Sequence, residues 1–87
     1  MRFTGKVAIV TGSGSARGIG RETVMLLAKE GAKVVVADMN YEGAKSVAGE
    51  IESMGGTAFP VQVDITDEAS VKAMVESTVA KYGRLDI

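Results

Sequence analysis

Four glycines lie close together near the start of the chain, within the stretch VTGSGSARGIG, at Gly12, Gly14, Gly18 and Gly20. Glycine permits positive φ angles and lets backbone N–H groups approach a ligand closely. A β-branched, strand-like segment precedes this stretch and a helix-like segment follows it, and the first turn of a helix offers unpaired N–H groups and a partial positive charge. The pattern favours a phosphate site. The alternative is a glycine turn that serves only the backbone.

The glycine spacing excludes two common phosphate motifs. A P-loop requires glycine, lysine and a hydroxyl residue in succession, and the Gly-Lys pair that begins at Gly5 is followed by valine. In the pattern Gly-x-Gly-x-x-Gly, a start at Gly12 would place the third glycine at Arg17. The spacing Gly-x-x-x-Gly-x-Gly does occur, at Gly14, Gly18 and Gly20.

An acidic residue supports a nucleotide as the ligand. Asp38 ends the second strand-like segment, twenty residues after Gly18. A carboxylate at this place can accept hydrogen bonds from both hydroxyls of an adenosine ribose and would repel a 2′-phosphate. A glycine turn, a helix start and an acid at the end of the next strand together predict a dinucleotide site.

Two further patterns could suggest catalysis, and both are rejected. Tyr41 and Lys45 have the spacing Tyr-x-x-x-Lys, which places both side chains on one helix face, but they directly follow Asp38, where the adenine end of a cofactor is expected. Ser13 and Ser15 are not centred in Gly-x-Ser-x-Gly, and the chain has no histidine to activate them. We expect their hydroxyls to bind phosphate or loop backbone.

Composition narrows the function classes. The 87 residues carry a formal net charge of −1 and contain neither cysteine nor histidine. Thiol chemistry and cysteine or histidine metal ligands are therefore excluded, and we predict no metal site. Because no basic patch or long apolar run is present, we expect no nucleic-acid or membrane partner and a cytoplasmic location.

Strand-like and helix-like segments alternate along the chain. Apolar, mostly β-branched runs at 7–10, 34–37 and 58–63 predict strands, with Pro60 indicating an edge strand. Helices are expected at 19–30, after an N-cap at Asn40, and after an N-cap at Thr66. Residues 85–87 resemble the start of a fourth strand. We predict one α/β unit over residues 1–87, a doubly wound parallel sheet of strand order 3-2-1 with the fourth strand beside the first.

Several segments resemble the N-terminal part of the short-chain dehydrogenase/reductase family: KVAIVTG with GIGRE, then VVVADMN, VQVDIT and YGRLDI. The resemblance spans essentially all 87 residues and implies half of a Rossmann-type domain. The family's glycine motif is Thr-Gly-x-x-x-Gly-x-Gly, whereas five residues separate Gly12 from Gly18 here. Either the loop carries a two-residue insertion, which the strand favours, or Gly14 replaces the first glycine.

The resemblance also implies roles for individual residues. Asp38 corresponds to the acid that selects NAD, Asp64 to the residue that contacts the adenine amino group, and Ile65 to a backbone contact beside it. Asp64 could instead be a turn or capping carboxylate. Arg17 directly precedes Gly18, where a basic residue often marks a preference for NADP in the family. No second basic residue follows Asp38, so NAD is the favoured cofactor. The implied cofactor-binding residues are Gly12, Ser13, Gly14, Ser15, Arg17, Gly18, Ile19, Gly20, Asp38, Met39, Asp64 and Ile65.

For a complete family member, the resemblance implies an NAD(P)(H)-dependent oxidoreductase that transfers hydride between nicotinamide and an alcohol or ketone, assembled as a homo-oligomer. The family's catalytic asparagine, serine, tyrosine and lysine would lie beyond Ile87. We therefore assign no catalytic residue here and expect the chain to be inactive by itself. The alternative is a stand-alone nucleotide-binding module without catalysis.

Overall fold

The computed structural model describes residues 2–14 and 18–87, which form three strands and three helices in strict alternation. The elements are β1 (Val7–Thr11), α1 (Ile19–Lys29), β2 (Lys33–Asp38), α2 (Tyr41–Ser53), β3 (Thr57–Gln62) and α3 (Glu68–Tyr82). This order confirms the alternation expected from the sequence. The strands begin and end within one residue of the apolar runs that predicted them.

The three strands form one parallel sheet of order β1-β2-β3. Val7 pairs with Lys33, and Lys33 pairs with Thr57, so the strand starts are aligned. β2 is central, and its residues from 34 to 37 are fully buried. Pro60, which has no N–H to donate, lies in β3 at the edge of the sheet, as expected.

Helices cover both faces of the sheet. Neighbouring residues of a strand point to opposite faces, and Val36 and Ala37 accordingly belong to two separate apolar clusters. The larger cluster lies under α1 and α2, with Val24 and Ile51 fully buried. The smaller one joins Ala37 to α3 through Met74. The Cα radius of gyration is 11.6 Å.

Asn40 caps α2 as predicted, because its side chain accepts a hydrogen bond from the Gly43 N–H at 3.1 Å. The predicted cap of α3 at Thr66 is wrong. Asp67 takes that place and accepts from the Ala69 N–H at 3.0 Å. The hydroxyl of Thr66 instead donates to the carboxylate of Asp64 at 2.6 Å, so it is directed away from the helix.

Residues at the end of the chain lie along the edge of β1, where a fourth strand was expected. The Asp86 N–H donates to the Val7 carbonyl at 2.9 Å, and the Ile9 N–H donates to the Ile87 carbonyl at 2.9 Å. The Asp86 carboxylate also accepts a hydrogen bond from the Val7 N–H at 2.9 Å. The Arg84 guanidinium donates two further hydrogen bonds to this carboxylate, from Nη2 at 2.7 Å and from Nε at 2.8 Å. These bonds hold residues 84–87 against the sheet, although the segment forms no regular strand.

Candidate functional site

A cavity of about 360 Å³ opens at the carboxyl ends of the three strands. Its walls come from the ends of all three strands and the residues just after them: Thr11, Gly12, Asp38, Met39, Val63 and Ile65. In a parallel sheet these ends meet along one edge, which is where ligands of doubly wound folds bind. Four of the residues implied by the sequence, at positions 12, 38, 39 and 65, therefore line one cavity.

The walls combine apolar side chains with a single carboxylate. Met39 and Ile65 expose 65% and 66% of their surface although both are large and apolar. Asp38 is the charged residue among the lining side chains. A flat, weakly polar ring with a neighbouring hydroxyl donor matches such a cavity.

Two backbone donors hold the carboxylate of Asp38 in place. One oxygen accepts from the Gly14 N–H at 3.1 Å, and the other accepts from the Asn40 N–H at 3.0 Å. A carboxylate has about four acceptor positions. Asp38 is therefore fixed in orientation and can still accept hydrogen bonds from a ligand.

The glycine loop is closely packed against the start of α1. Gly12 and Gly18 have φ angles of +71° and +125°, which side chains rarely adopt. A Cβ atom added at Gly20 would lie only 2.5 Å from the Gly12 carbonyl oxygen. Among the described residues no side chain caps the N-terminus of α1, and Ile19, its first residue, is 86% exposed. The first turn of α1 therefore carries N–H groups that no described side chain caps.

Ser13 anchors the loop from inside. Its side chain is fully buried, its hydroxyl donates to the Val10 carbonyl at 2.6 Å, and its N–H donates to the Ala37 carbonyl at 3.2 Å. We expected this hydroxyl to bind phosphate or loop backbone, and the structure shows it bound to backbone, although the acceptor belongs to β1 and not to the loop. Ser15 and Arg17 lie outside the described residues, so their predicted roles stay predictions.

Asp64 has a local structural partner. Its carboxylate accepts from both the N–H and the hydroxyl of Thr66, at 2.9 and 2.6 Å, and these bonds lower the pKa of that carboxyl. Its own N–H donates to the Ser70 hydroxyl at 3.0 Å. Ile65 lines the cavity, whereas Asp64 is not among the lining residues. The structure therefore shows Asp64 as a turn carboxylate that binds Thr66. The predicted contact of Asp64 with the adenine amino group stays a prediction.

Sequence reasoning did not find four residues around the site. Thr11 and Val63 line the cavity from the ends of β1 and β3, and only their positions at strand ends could have indicated this. Asn40 was predicted as a helix cap but also donates to Asp38. Gln62 donates from its side chain to the Met39 carbonyl at 3.1 Å and so fixes the backbone of the cavity wall.

Tyr41 and Lys45 are exposed in the first turns of α2, and neither lines the cavity. In the described parts of the chain, no three histidine, cysteine, aspartate or glutamate side chains are grouped so that they could hold a metal ion. Each helix described is also too short or too polar to span a lipid bilayer.

Comparison with known proteins identifies relatives of the same architecture. Residues 6–87 match the short chain dehydrogenase family. The chain is 42% identical over all 87 residues to 7alpha-hydroxysteroid dehydrogenase of Escherichia coli K12, of which it covers 33%. It is 41% identical to 3-oxoacyl-[acyl-carrier-protein] reductase of Thermotoga maritima, of which it covers 35%.

Solved structures agree closely with the fold. A hydroxysteroid dehydrogenase from Escherichia coli superposes with a TM-score of 0.95 at 43% identity, over 99% of this chain and 36% of that one. A 7α-hydroxysteroid dehydrogenase in complex with NADH and 7-oxo glycochenodeoxycholic acid gives a TM-score of 0.93 at 42% identity, over 98% of this chain and 32% of that one. The chain spans about a third of the length of these relatives. With the family match over nearly all of its residues, the chain belongs to the short chain dehydrogenase family.

Proposed function

We propose that this chain forms the adenosine and pyrophosphate half of a nicotinamide dinucleotide site in an oxidoreductase that interconverts alcohols and ketones. The observation that carries the proposal is the cavity of about 360 Å³ at the strand ends, which Asp38 lines together with the apolar residues Met39 and Ile65. The NADH bound in a solved relative of 42% identity supports the same ligand class.

The residues present fit the adenosine part of such a ligand. Met39 and Ile65 provide exposed apolar surface for the adenine ring, and burying that surface would favour binding. Asp38 is an acceptor of fixed orientation for the ribose hydroxyls, because the Gly14 and Asn40 N–H groups already hold it. The cavity thus pairs an apolar ring site with a sugar-binding acid.

The glycine loop fits the pyrophosphate. Positive φ angles at Gly12 and Gly18 and the close contact of Gly20 with Gly12 bring the first turn of α1 against the loop without intervening side chains. Uncapped N–H groups at a helix start attract phosphate oxygens. Ser15 and Arg17 belong to the same loop in sequence, and we propose that they complete this contact.

We further propose that NAD is preferred over NADP. A 2′-phosphate would add negative charge beside the Asp38 carboxylate and would lose the ribose hydroxyl that the carboxylate binds. Arg17 is the residue that could reverse this preference, by pairing with the phosphate.

When bound, a nicotinamide dinucleotide supplies hydride donation or acceptance at its nicotinamide ring. In our proposal this chain binds and orients the adenosine end, and the substrate pocket and proton-transfer group of the oxidoreductase lie in the region of its relatives that the chain does not span. Tyr41 and Lys45 have no part in the chemistry in this proposal, because they lie at the start of α2, directly after Asp38 and therefore at the adenosine end of the ligand.

Titration of the ¹⁵N-labelled 87-residue chain tests the site. NAD and ADP-ribose should both produce saturable shifts at the amides of Gly12, Gly18 and Gly20, whereas nicotinamide mononucleotide, which has one phosphate and no adenosine, should bind much more weakly. NADP should bind more weakly. Absence of shifts with NAD and ADP-ribose in a folded sample would refute the proposal, and tighter binding of NADP would transfer the selecting role from Asp38 to Arg17.

A matched pair of variants separates the role of Asp38 from general charge. Asp38→Asn should reduce the difference in affinity between NAD and NADP, because it removes the charge that repels the 2′-phosphate and keeps the size of the side chain. Glu76→Gln removes an exposed carboxylate from α3 and should leave both affinities unchanged. Alcohol turnover with NAD would distinguish an oxidoreductase from a stand-alone binding module only in a protein of the relatives' full length, because the proposed proton-transfer group lies in the region that this chain does not span.

A further inference from the structure

We propose that Gly43, in the first turn of α2, is a positioning residue that fixes the orientation of Asp38 and thereby the discrimination between NAD and NADP. This inference rests on the proposed function, because it concerns the same ribose-binding acid. Gly43 does not line the 360 Å³ cavity. It lines a second cavity of about 340 Å³ on the α2 side of Asp38.

The first argument is the close approach of two backbones. Gly14 is buried, and a Cβ atom added there would lie 2.7 Å from the Ala44 nitrogen and 2.8 Å from Cβ of Asp38. On the other side, a Cβ atom added at Gly43 would overlap the Gly14 carbonyl oxygen. The glycine loop and α2 are therefore in contact through two residues that both lack a side chain.

The second argument is the hydrogen-bond network that this contact permits. Gly14 donates its N–H to one oxygen of Asp38 at 3.1 Å, and Asn40 donates its N–H to the other at 3.0 Å. The Asn40 side chain in turn accepts from the Gly43 N–H at 3.1 Å. Asp38, Asn40, Gly43 and Gly14 thus form a closed ring of contacts, and a methyl group at position 43 would separate Gly14 from Asp38.

The third argument is a contrast within the same helix. Gly49 also lies in α2, but a Cβ atom added there would have no heavy atom within 4 Å. Alanine is a better helix former than glycine, so helix propensity alone favours alanine at both positions. Only Gly43 has a neighbour that makes glycine necessary.

The test compares Gly43→Ala with Gly49→Ala in the 87-residue chain. Gly43→Ala should weaken NAD binding about tenfold, the loss associated with one hydrogen bond to a charged group, and should reduce the NAD-to-NADP affinity ratio at least about threefold. Gly49→Ala should change neither affinity. Equal affinity ratios in wild type and Gly43→Ala would overturn the proposal, because a purely structural glycine would not alter selectivity.

A second readout needs no ligand. Hydrogen exchange at the Gly14 amide should be slow in wild type and in Gly49→Ala, and faster in Gly43→Ala. Should Gly43→Ala fail to fold, Asn40→Ala breaks the bond from the Gly43 N–H to the Asn40 side chain while Gly43 and the Asp38 charge stay in place. Loss of selectivity together with faster exchange at Gly14 would support the network, and loss of selectivity with unchanged exchange would overturn it. If wild type binds neither dinucleotide, the proposed function fails, while the exchange data still decide the network.

Discussion

Ile51 provides a quantitative test of how α2 is held on the sheet. Its side chain is fully buried in the larger apolar cluster, and a Cβ atom added at Gly56 would lie 2.7 Å from its Cγ2 atom, so there is little free space around it. Ile51→Ala should lower the free energy of unfolding by about 3–4 kcal/mol and Ile51→Val by about 1 kcal/mol. A chain of this size has a total stability of roughly 4–13 kcal/mol, so the alanine variant should lose a large part of it.

Urea unfolding followed by circular dichroism measures these changes. With a denaturant slope of about 1 kcal/mol/M for a small domain, the midpoint should fall by about 3 M for Ile51→Ala. The control is Leu26→Ala on α1, whose side chain is 61% exposed and whose loss should change stability by less than about 0.5 kcal/mol. A difference of less than about 1 kcal/mol between the two alanine variants would refute the packing of α2 described above.

Three further predictions concern the β1 edge, the glycine loop and the α2 cap. Arg84 and the Val7 N–H lower the pKa of the Asp86 carboxyl to about 2. Their stabilising effect is therefore present above the ordinary value of 3.8 and is lost as the pH falls towards 2, so urea midpoints between pH 4 and 2 should fall more steeply in wild type than in Asp86→Asn. A parallel fall in both proteins would contradict this assignment. Gly20→Ala should reduce the affinity for NAD, measured by calorimetry, at least about tenfold, because the added Cβ atom would push α1 away from Gly12. An affinity equal to that of Gly49→Ala would show that the contact does not matter. Asn40→Ala should lower the free energy of unfolding by about 1 kcal/mol and Asn40→Ser by much less, and equal losses in thermal melts would exclude a capping role.

Much of the fold follows from local sequence patterns. The β-branched runs lie between glycines and helix caps, so the strands could be located within one residue of their ends. The convergence of Gly12, Asp38 and Ile65 was also predictable, because the carboxyl ends of parallel strands meet along one edge.

Other features depend on contacts that spacing does not encode. Asp64, Thr66 and Asp67 offer three competing acceptors near the start of α3, and only the geometry of the turn decides that Asp67 is the cap. In α3 the apolar residue Val79 is 43% exposed, whereas its polar neighbour Thr78 is fully buried. Thr78 tolerates burial because its hydroxyl donates to the Met74 carbonyl at 2.8 Å.

The hydrogen bond between the Gly14 N–H and the Asp38 carboxylate is also a contact that spacing along the sequence does not predict. It joins residues 24 positions apart and requires the loop, the end of β2 and the start of α2 to meet. Glycine at position 43 does not by itself indicate a close contact, because α2 also contains Gly49, where an added Cβ atom would have no heavy atom within 4 Å. Only the three-dimensional contact separates the two.

The attachment of residues 84–87 to β1 has a consequence for the order of folding. Neighbouring strands of the sheet pair residues roughly 25 positions apart, whereas Asp86 and Val7 are 79 positions apart. Closing the longer loop carries an additional entropic penalty of about 1 kcal/mol. The sheet and its helices can therefore assemble first, and the hydrogen bonds between Asp86 and Val7, with Arg84 holding the Asp86 carboxylate, then join the two ends of the chain last. These bonds should also be the first to open when the native protein fluctuates, so amide exchange at Asp86 and Ile87 should be faster than anywhere in β2.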